Sequence, residues 1–255
     1  VGSTPIAKYV YEKATAAGKR VQSLGGAKNH MLVLPDADLD LAADAAINAG
    51  FGSAGERCMA ISALVVVEPI ADRLVAKIAE RMIPLKTGDG RRSCDMGPLI
   101  TREHRDKVAS YIDIAEKDGA TVVVDGRNPK VDGEPNGFWL GPTLVDKVPT
   151  TSKVYTEEIF GPVLVAIEAK DSEDALQLAN DTEYGLAASV WTNNVAKAHK
   201  FARKLRAGTV WINTFDALDV ITPFGGFGAS GTGRDKSLHA LDAYSGLKTT
   251  WVDLS

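Results

Sequence analysis

Phe51-Gly52-Ser53-Ala54-Gly55-Glu56-Arg57-Cys58-Met59-Ala60 lies between a run with helical character, 40–49, and an apolar run with strand character, 63–67. One of only two cysteines thus sits in a turn of small residues where a helix hands over to a strand. Gly52, Ala54 and Gly55 allow a tight turn and close approach of a ligand, so a thiol here is placed as a nucleophile would be. Arg57 adds positive charge, which favours thiolate over thiol. A free cysteine is more often a small buried hydrophobe, so this turn assigns no chemistry by itself.

On either side of the turn, elements of the two kinds alternate. The spacing predicts helices over 5–17, 40–49, 71–82, 102–118, 172–180 and 195–205. Strands are expected over 20–23, 31–34, 63–67, 121–124, 163–168, 187–191 and 209–212. Thr4 reads as the N-cap of the first helix, Pro5 as its first residue and Gly18 as its C-cap, with Ile6, Tyr9 and Val10 forming an apolar face. This alternation predicts an α/β fold with a largely parallel sheet. The Val- and Ala-rich strands read as buried on both faces. Four irregular stretches, 87–99, 127–141, 157–162 and 214–235, are long enough to be functional loops. In open α/β sheets, ligands bind beyond the carboxyl ends of strands, and Cys58 and Glu158 are expected in such turns.

With 255 residues, 45% apolar and 24% charged, the chain can bury a sizeable core, and its net charge of -4 gives no general attraction for nucleic acid. No stretch is apolar for long enough to span a bilayer or act as a signal segment. Two cysteines make no disulfide framework, which suits a reducing, cytoplasmic setting. The four histidines lack metal-ligand spacing, and His104 and His199 read as surface residues of helices. Gly2 and Ser3 precede a helix N-terminus, where backbone N–H groups and the macrodipole favour a phosphate. Val1-Gly2-Ser3-Thr4-Pro5 opens as though within a longer polypeptide.

Gly2-Ser3-Thr4, Leu24-Gly25-Gly26, Gly55-Glu56-Arg57-Cys58, Gly97-Pro98-Leu99, Glu157-Glu158-Ile159-Phe160-Gly161-Pro162 and Pro223-Phe224-Gly225-Gly226 together resemble the NAD(P)-dependent aldehyde dehydrogenase superfamily in order and spacing. The resemblance implies an aldehyde dehydrogenase-like catalytic domain with the end of a Rossmann-like cofactor domain. Residues 1–27 would close the cofactor domain, 28–235 form the catalytic domain, and 236–255 supply a helix and an oligomerisation strand. It also implies that Cys58 attacks the aldehyde to give a thiohemiacetal and then a thioester. Glu158 would bind the nicotinamide ribose, Phe160 would pack beside it, Ser3 would touch the pyrophosphate with Gly2, and Gly25 would approach the nicotinamide. NAD is the expected cofactor, with NADP open. The tail Leu247–Val252 alternates like an edge strand and matches one that pairs between subunits in this superfamily, so a homodimer or homotetramer is expected.

Hydrolytic members carry Glu-Leu-Gly-Gly-Lys where this chain has Ser23-Leu24-Gly25-Gly26-Ala27-Lys28, so the carboxylate that activates water is missing. Gly26-Ala27-Lys28-Asn29-His30 and Arg57-Cys58-Met59-Ala60 resemble the CoA-acylating methylmalonate or malonate semialdehyde dehydrogenases. In that subfamily the arginine beside the nucleophile helps hold the substrate carboxylate, and coenzyme A takes the acyl group. The stretch Pro223–Leu241 is more similar to hydrolytic dehydrogenases of aminoaldehydes, which is the alternative. A non-catalytic fragment or assembly subunit is the alternative of another class.

Overall fold

In the computed structural model, which describes residues 1–131 and 136–255, the apolar runs Asn29–Val33, Ile61–Val67, Val163–Ala169 and Ala187–Trp191 form the centre of a sheet. Their branched side chains suit pleated backbone, and with both faces covered no polar alternation is required. In chain order the elements are α1 (Thr4–Ala16), β1 (Ser23–Leu24), β2 (Asn29–Val33), α2 (Leu39–Phe51), β3 (Ile61–Val67), α3 (Ala71–Met82), α4 (Arg102–Lys117), β4 (Thr121–Val124), β5 (Thr143–Asp146), α5 (Lys153–Thr156), β6 (Val163–Ala169), α6 (Ser172–Asn180), β7 (Ala187–Trp191), α7 (Val195–Lys204), β8 (Thr209–Ile212), β9 (Gly231–Thr232) and α8 (His239–Tyr244).

The main sheet runs β4-β5-β6-β3-β2-β7-β8, parallel throughout except for β4 at one edge. Alternate residues of one strand feed two different cores. Met31 and Val33 point into the layer built by α2, α3 and α4, where Ala46, Leu74, Ile78 and Ile112 are buried. Leu32 and Leu34 face the opposite layer with Ala175 and Leu176 of α6 and Phe201 of α7. The result is the α/β architecture that the alternation predicts, with helices on both faces of the sheet.

Several boundaries shift for local reasons. Helix α2 begins at Leu39 because the Asp38 side chain accepts from the N–H groups of Asp40 and Leu41. Ser3, not Thr4, occupies the N-cap of α1, and Thr4 is freed to accept from the N–H of Gly26 at 3.1 Å. The expected apolar face of α1 is not covered: Ile6, Tyr9 and Val10 are exposed, and Ala7 alone is buried. Strand β5 and the short helix α5 escaped the reading because they lie between the irregular stretches 127–141 and 157–162, where Pro142 and Pro149 interrupt the pattern. The loop stretch 127–141 includes 132–135, which lie outside the described residues. The tail Leu247–Val252 is exposed and forms no strand, since an edge strand needs a ladder partner that this chain alone does not offer.

One expectation is reversed. Cys58 precedes β3 and Glu158 precedes β6, so both lie at the amino ends of parallel strands, not the carboxyl ends. The cause is the crossover: α2 runs back from the far end of β2 and delivers the cysteine turn just before β3 starts. Glycine decides how closely the two turns meet. Gly55 has φ +69, and a Cβ there would collide with the carbonyl of Gly161. Gly55→Ala is expected to lower unfolding free energy by about 2 kcal/mol or more, read from urea denaturation, because strain and a backbone clash add.

Candidate active site

The cysteine turn is left-handed through three residues, Ser53, Ala54 and Gly55, with φ of 53°, 54° and 69°. Such backbone persists only where its surroundings hold it. Asn29, the first residue of β2, anchors the chain where it leaves that turn. Its Nδ2 donates to the carbonyls of Cys58 at 2.9 Å and Ala60 at 2.8 Å, and its Oδ1 accepts from the N–H of Ala187 at 3.1 Å.

Next to it, Lys28 performs the same service for the Glu158 loop. Its fully buried ammonium donates to the carbonyls of Val154 at 2.7 Å and Glu157 at 2.9 Å. Burial pulls the Lys28 pKa down to about 7, against the opposing pull of Glu158 and Glu157. Glu158 turns toward the glycine turn, where its Oε1 accepts from the N–H of Ala27 at 2.9 Å. A Cβ at Gly26 would stand 2.5 Å from the other carboxylate oxygen, so this turn approaches Glu158 as closely as a backbone can.

Cys58, Arg57, Glu158 and Phe160 line one narrow cleft of about 20 Å³, and Arg57 also borders a neighbouring cavity of about 360 Å³. Gly25 lies one turn away. Its N–H donates to Ser230 at 3.0 Å, and a Cβ there would strike the Ala229 carbonyl. The N–H of Gly2 is engaged by the Leu24 carbonyl at 3.0 Å, while Ser3 is exposed with no capping bond from its side chain. Phe160 adopts φ +54, and its carbonyl meets His104 Nε2 at 2.7 Å. The same ring nitrogen stands 3.6 Å from Glu56, two residues before Cys58. His104 is therefore no plain surface residue: it bridges the two turns, a role its helical position could not reveal.

The electrostatics also depart from expectation. Half-buried Cys58 has its thiol pKa raised, first by burial and then by the negative charges of Glu158 and Asp216, with N–H groups of the turn opposing. Arg57 does not supply the expected activation, because its guanidinium is already paired with Asp216 at 3.1 Å and donates to the Asn48 carbonyl at 3.0 Å. Asn29, Lys28, His104 and Asp216 are the site residues that the sequence left unassigned. The polar run Lys28-Asn29-His30 entering an apolar strand was the one available signal for the first two.

Residues 1–250 match the aldehyde dehydrogenase family. The chain belongs to that family. It is 46% identical over 243 residues to malonate-semialdehyde dehydrogenase of Pseudomonas aeruginosa, a match covering 94% of this chain and 48% of the relative. Its fold is similar to that of methylmalonate-semialdehyde dehydrogenase from Oceanimonas doudoroffii, with a TM-score of 0.94 and 43% identity over 99% of this chain and 53% of the other. It is equally similar to indole-3-acetaldehyde dehydrogenase complexed with NAD+, with a TM-score of 0.94 and 44% identity over 99% of this chain and 51% of that one. The chain spans about half the length of the curated relative it matches.

Within this aldehyde dehydrogenase chain, a thiol shielded by burial and two carboxylates should resist ionisation. Alkylation of Cys58 by iodoacetamide in the ligand-free protein is expected to accelerate with pH, with a midpoint above the ordinary thiol value of 9.0. A midpoint well below that value, followed by peptide mass spectrometry, would reverse the electrostatic assignment.

Proposed function

We propose that the full-length protein oxidises an aldehyde through a Cys58 thioester and passes the acyl group to coenzyme A, as a malonate or methylmalonate semialdehyde dehydrogenase. The observation that carries this reading is the shared cleft of Cys58, Arg57, Glu158 and Phe160 beside a glycine turn that holds no carboxylate. The names of the relatives support the same substrate class.

The chemistry follows from the side chains. A deprotonated Cys58 adds to the carbonyl carbon, forming a C–S bond and placing negative charge on the oxygen. The backbone N–H of Cys58 is one donor for that oxyanion. Loss of hydride from the same carbon leaves a thioester on the sulfur. Coenzyme A then attacks as its own thiolate, the C–S bond to Cys58 breaks, and the acyl-CoA departs. Ser23 and Leu24 stand where hydrolytic relatives keep their base, and both are buried here, with β1 paired to β9. Neither can take a proton from water at neutral pH.

For the cofactor, the residues fit NAD. Glu158 offers a carboxylate able to accept two hydrogen bonds from a ribose diol, and the Gly25-Gly26 turn leaves no room for side chains beside it. Ser3 at the N-terminus of α1 is suited to the pyrophosphate and Phe160 to packing at the ribose, with Gly2 kept small next to Ser3. NAD, when bound, supplies the hydride acceptor. Residues 1–27 serve as the end of the cofactor domain, 28–235 as the catalytic domain, and 236–255 as a helix and a strand that pairs between subunits of a homodimer or homotetramer.

A hydrolytic enzyme for other aldehydes is the second reading, and the Arg57–Asp216 pair favours it by neutralising the expected carboxylate anchor. The acceptor separates the two. With malonate semialdehyde and NAD+, NADH formation by the full-length protein is expected to require coenzyme A and to vanish in Cys58→Ala, falling by at least about 10³-fold. Equal rates with and without coenzyme A, with free acid as product, would establish the hydrolytic reading instead.

A further inference from the structure

We propose that Asp216 is a specificity-determining residue: as the counter-ion of Arg57, the residue next to Cys58, it competes with the carboxylate of an anionic aldehyde for the guanidinium. This rests on the proposed aldehyde oxidation at Cys58. Asp216 is 159 residues from Arg57 in sequence and reaches it because the chain turns back after β8, at Asn213 with φ +50. The returning segment is fastened by the Trp211 indole, which donates to the Ala217 carbonyl at 2.9 Å, and by Phe215 packed on the Trp211 ring at 4.5 Å between centroids. Asp216 itself takes left-handed backbone, φ +61. Its Oδ2 lies 3.1 Å from Arg57 Nη1, while Arg57 Nη2 is held by the Asn48 carbonyl and lies over Gly52, where any Cβ would collide with it.

Arg57 thus lines both the Cys58 cleft and the adjoining cavity, and its guanidinium is balanced on the side of that cavity, which Asn48 and Asp216 also line. Side chains of Arg57 and Asp216 are 35% and 37% exposed, so the pair is screened and can be opened by a competing anion. A carboxylate substrate must displace Asp216 and also meets its like charge, whereas an uncharged aldehyde meets neither cost. Asp216 thereby narrows the preference for anionic over neutral aldehydes that Arg57 alone would impose.

A pair of alkylating reagents tests this without turnover. The sulfur of Cys58 displaces iodide from iodoacetate or iodoacetamide in the same way, so the ratio of the two rates cancels thiol ionisation and reports preference for the anion. Peptide mass spectrometry on the full-length protein separates Cys58 from Cys94. Asp216→Asn is expected to raise the iodoacetate-to-iodoacetamide ratio about fivefold to tenfold, and Asp216→Glu to keep it near wild type. In an Arg57→Gln background the same Asp216→Asn change should raise it by a clearly smaller factor, because it then relieves only the like-charge repulsion and no longer frees a contested guanidinium. An unchanged ratio in Asp216→Asn, or an equal rise with and without Arg57, would overturn the proposal. In turnover, Asp216→Asn should lower KM for malonate semialdehyde by a larger factor than KM for propanal; equal changes for both would also overturn it. If the ratio shifts as expected but no aldehyde yields NADH, the competition for Arg57 stands and the oxidation reading fails.

Discussion

Two adjacent buried polar side chains, Lys28 and Asn29 at the start of β2, hold the site together. Asn29 binds the carbonyls of Cys58 and Ala60, and Lys28 binds those of Val154 and Glu157. Each carbonyl left without its partner in the interior would cost about 1–3 kcal/mol, so the two turns are fixed to the sheet and, through it, to one another. The two turns also meet directly, with Gly55 so close to Gly161 that a Cβ would strike its carbonyl. The start of β2 thus carries the register of Cys58 relative to the loop that bears Glu158.

The charge pattern around the sulfur gives the site a resting character. Burial, Glu158 and Asp216 all favour the neutral thiol, and Arg57 is balanced by its own counter-ion. A thiol of this kind is a poor target for oxidants, which attack the thiolate. His104 adds a mechanical link, since its contacts with Phe160 and Glu56 join the two turns from the solvent side.

Much of the fold was legible because long periodic segments carry their own signal. The bounds read for α3, α6, β4, β7 and β8 coincide with those observed, each framed by polar or glycine-containing flanks. Length alone did not decide legibility, since β4 and β8 also have four residues: β5, α5 and β9 were missed because they lie in or beside the irregular stretches 127–141, 157–162 and 214–235. The exposed face of α1 shows the converse, a helix clear in sequence whose burial the sequence could not give.

By itself the sequence determined the α/β alternation, the turn that presents Cys58 and the loop that carries Glu158, because these depend on periodicity, glycine and residue type within a dozen positions. Tertiary structure alone decided the end of the sheet on which the site is built, through the return path of α2. It alone also decided the state of Arg57, since a guanidinium acts according to the carboxylate nearest in space, and Asp216 arrives from 159 residues away.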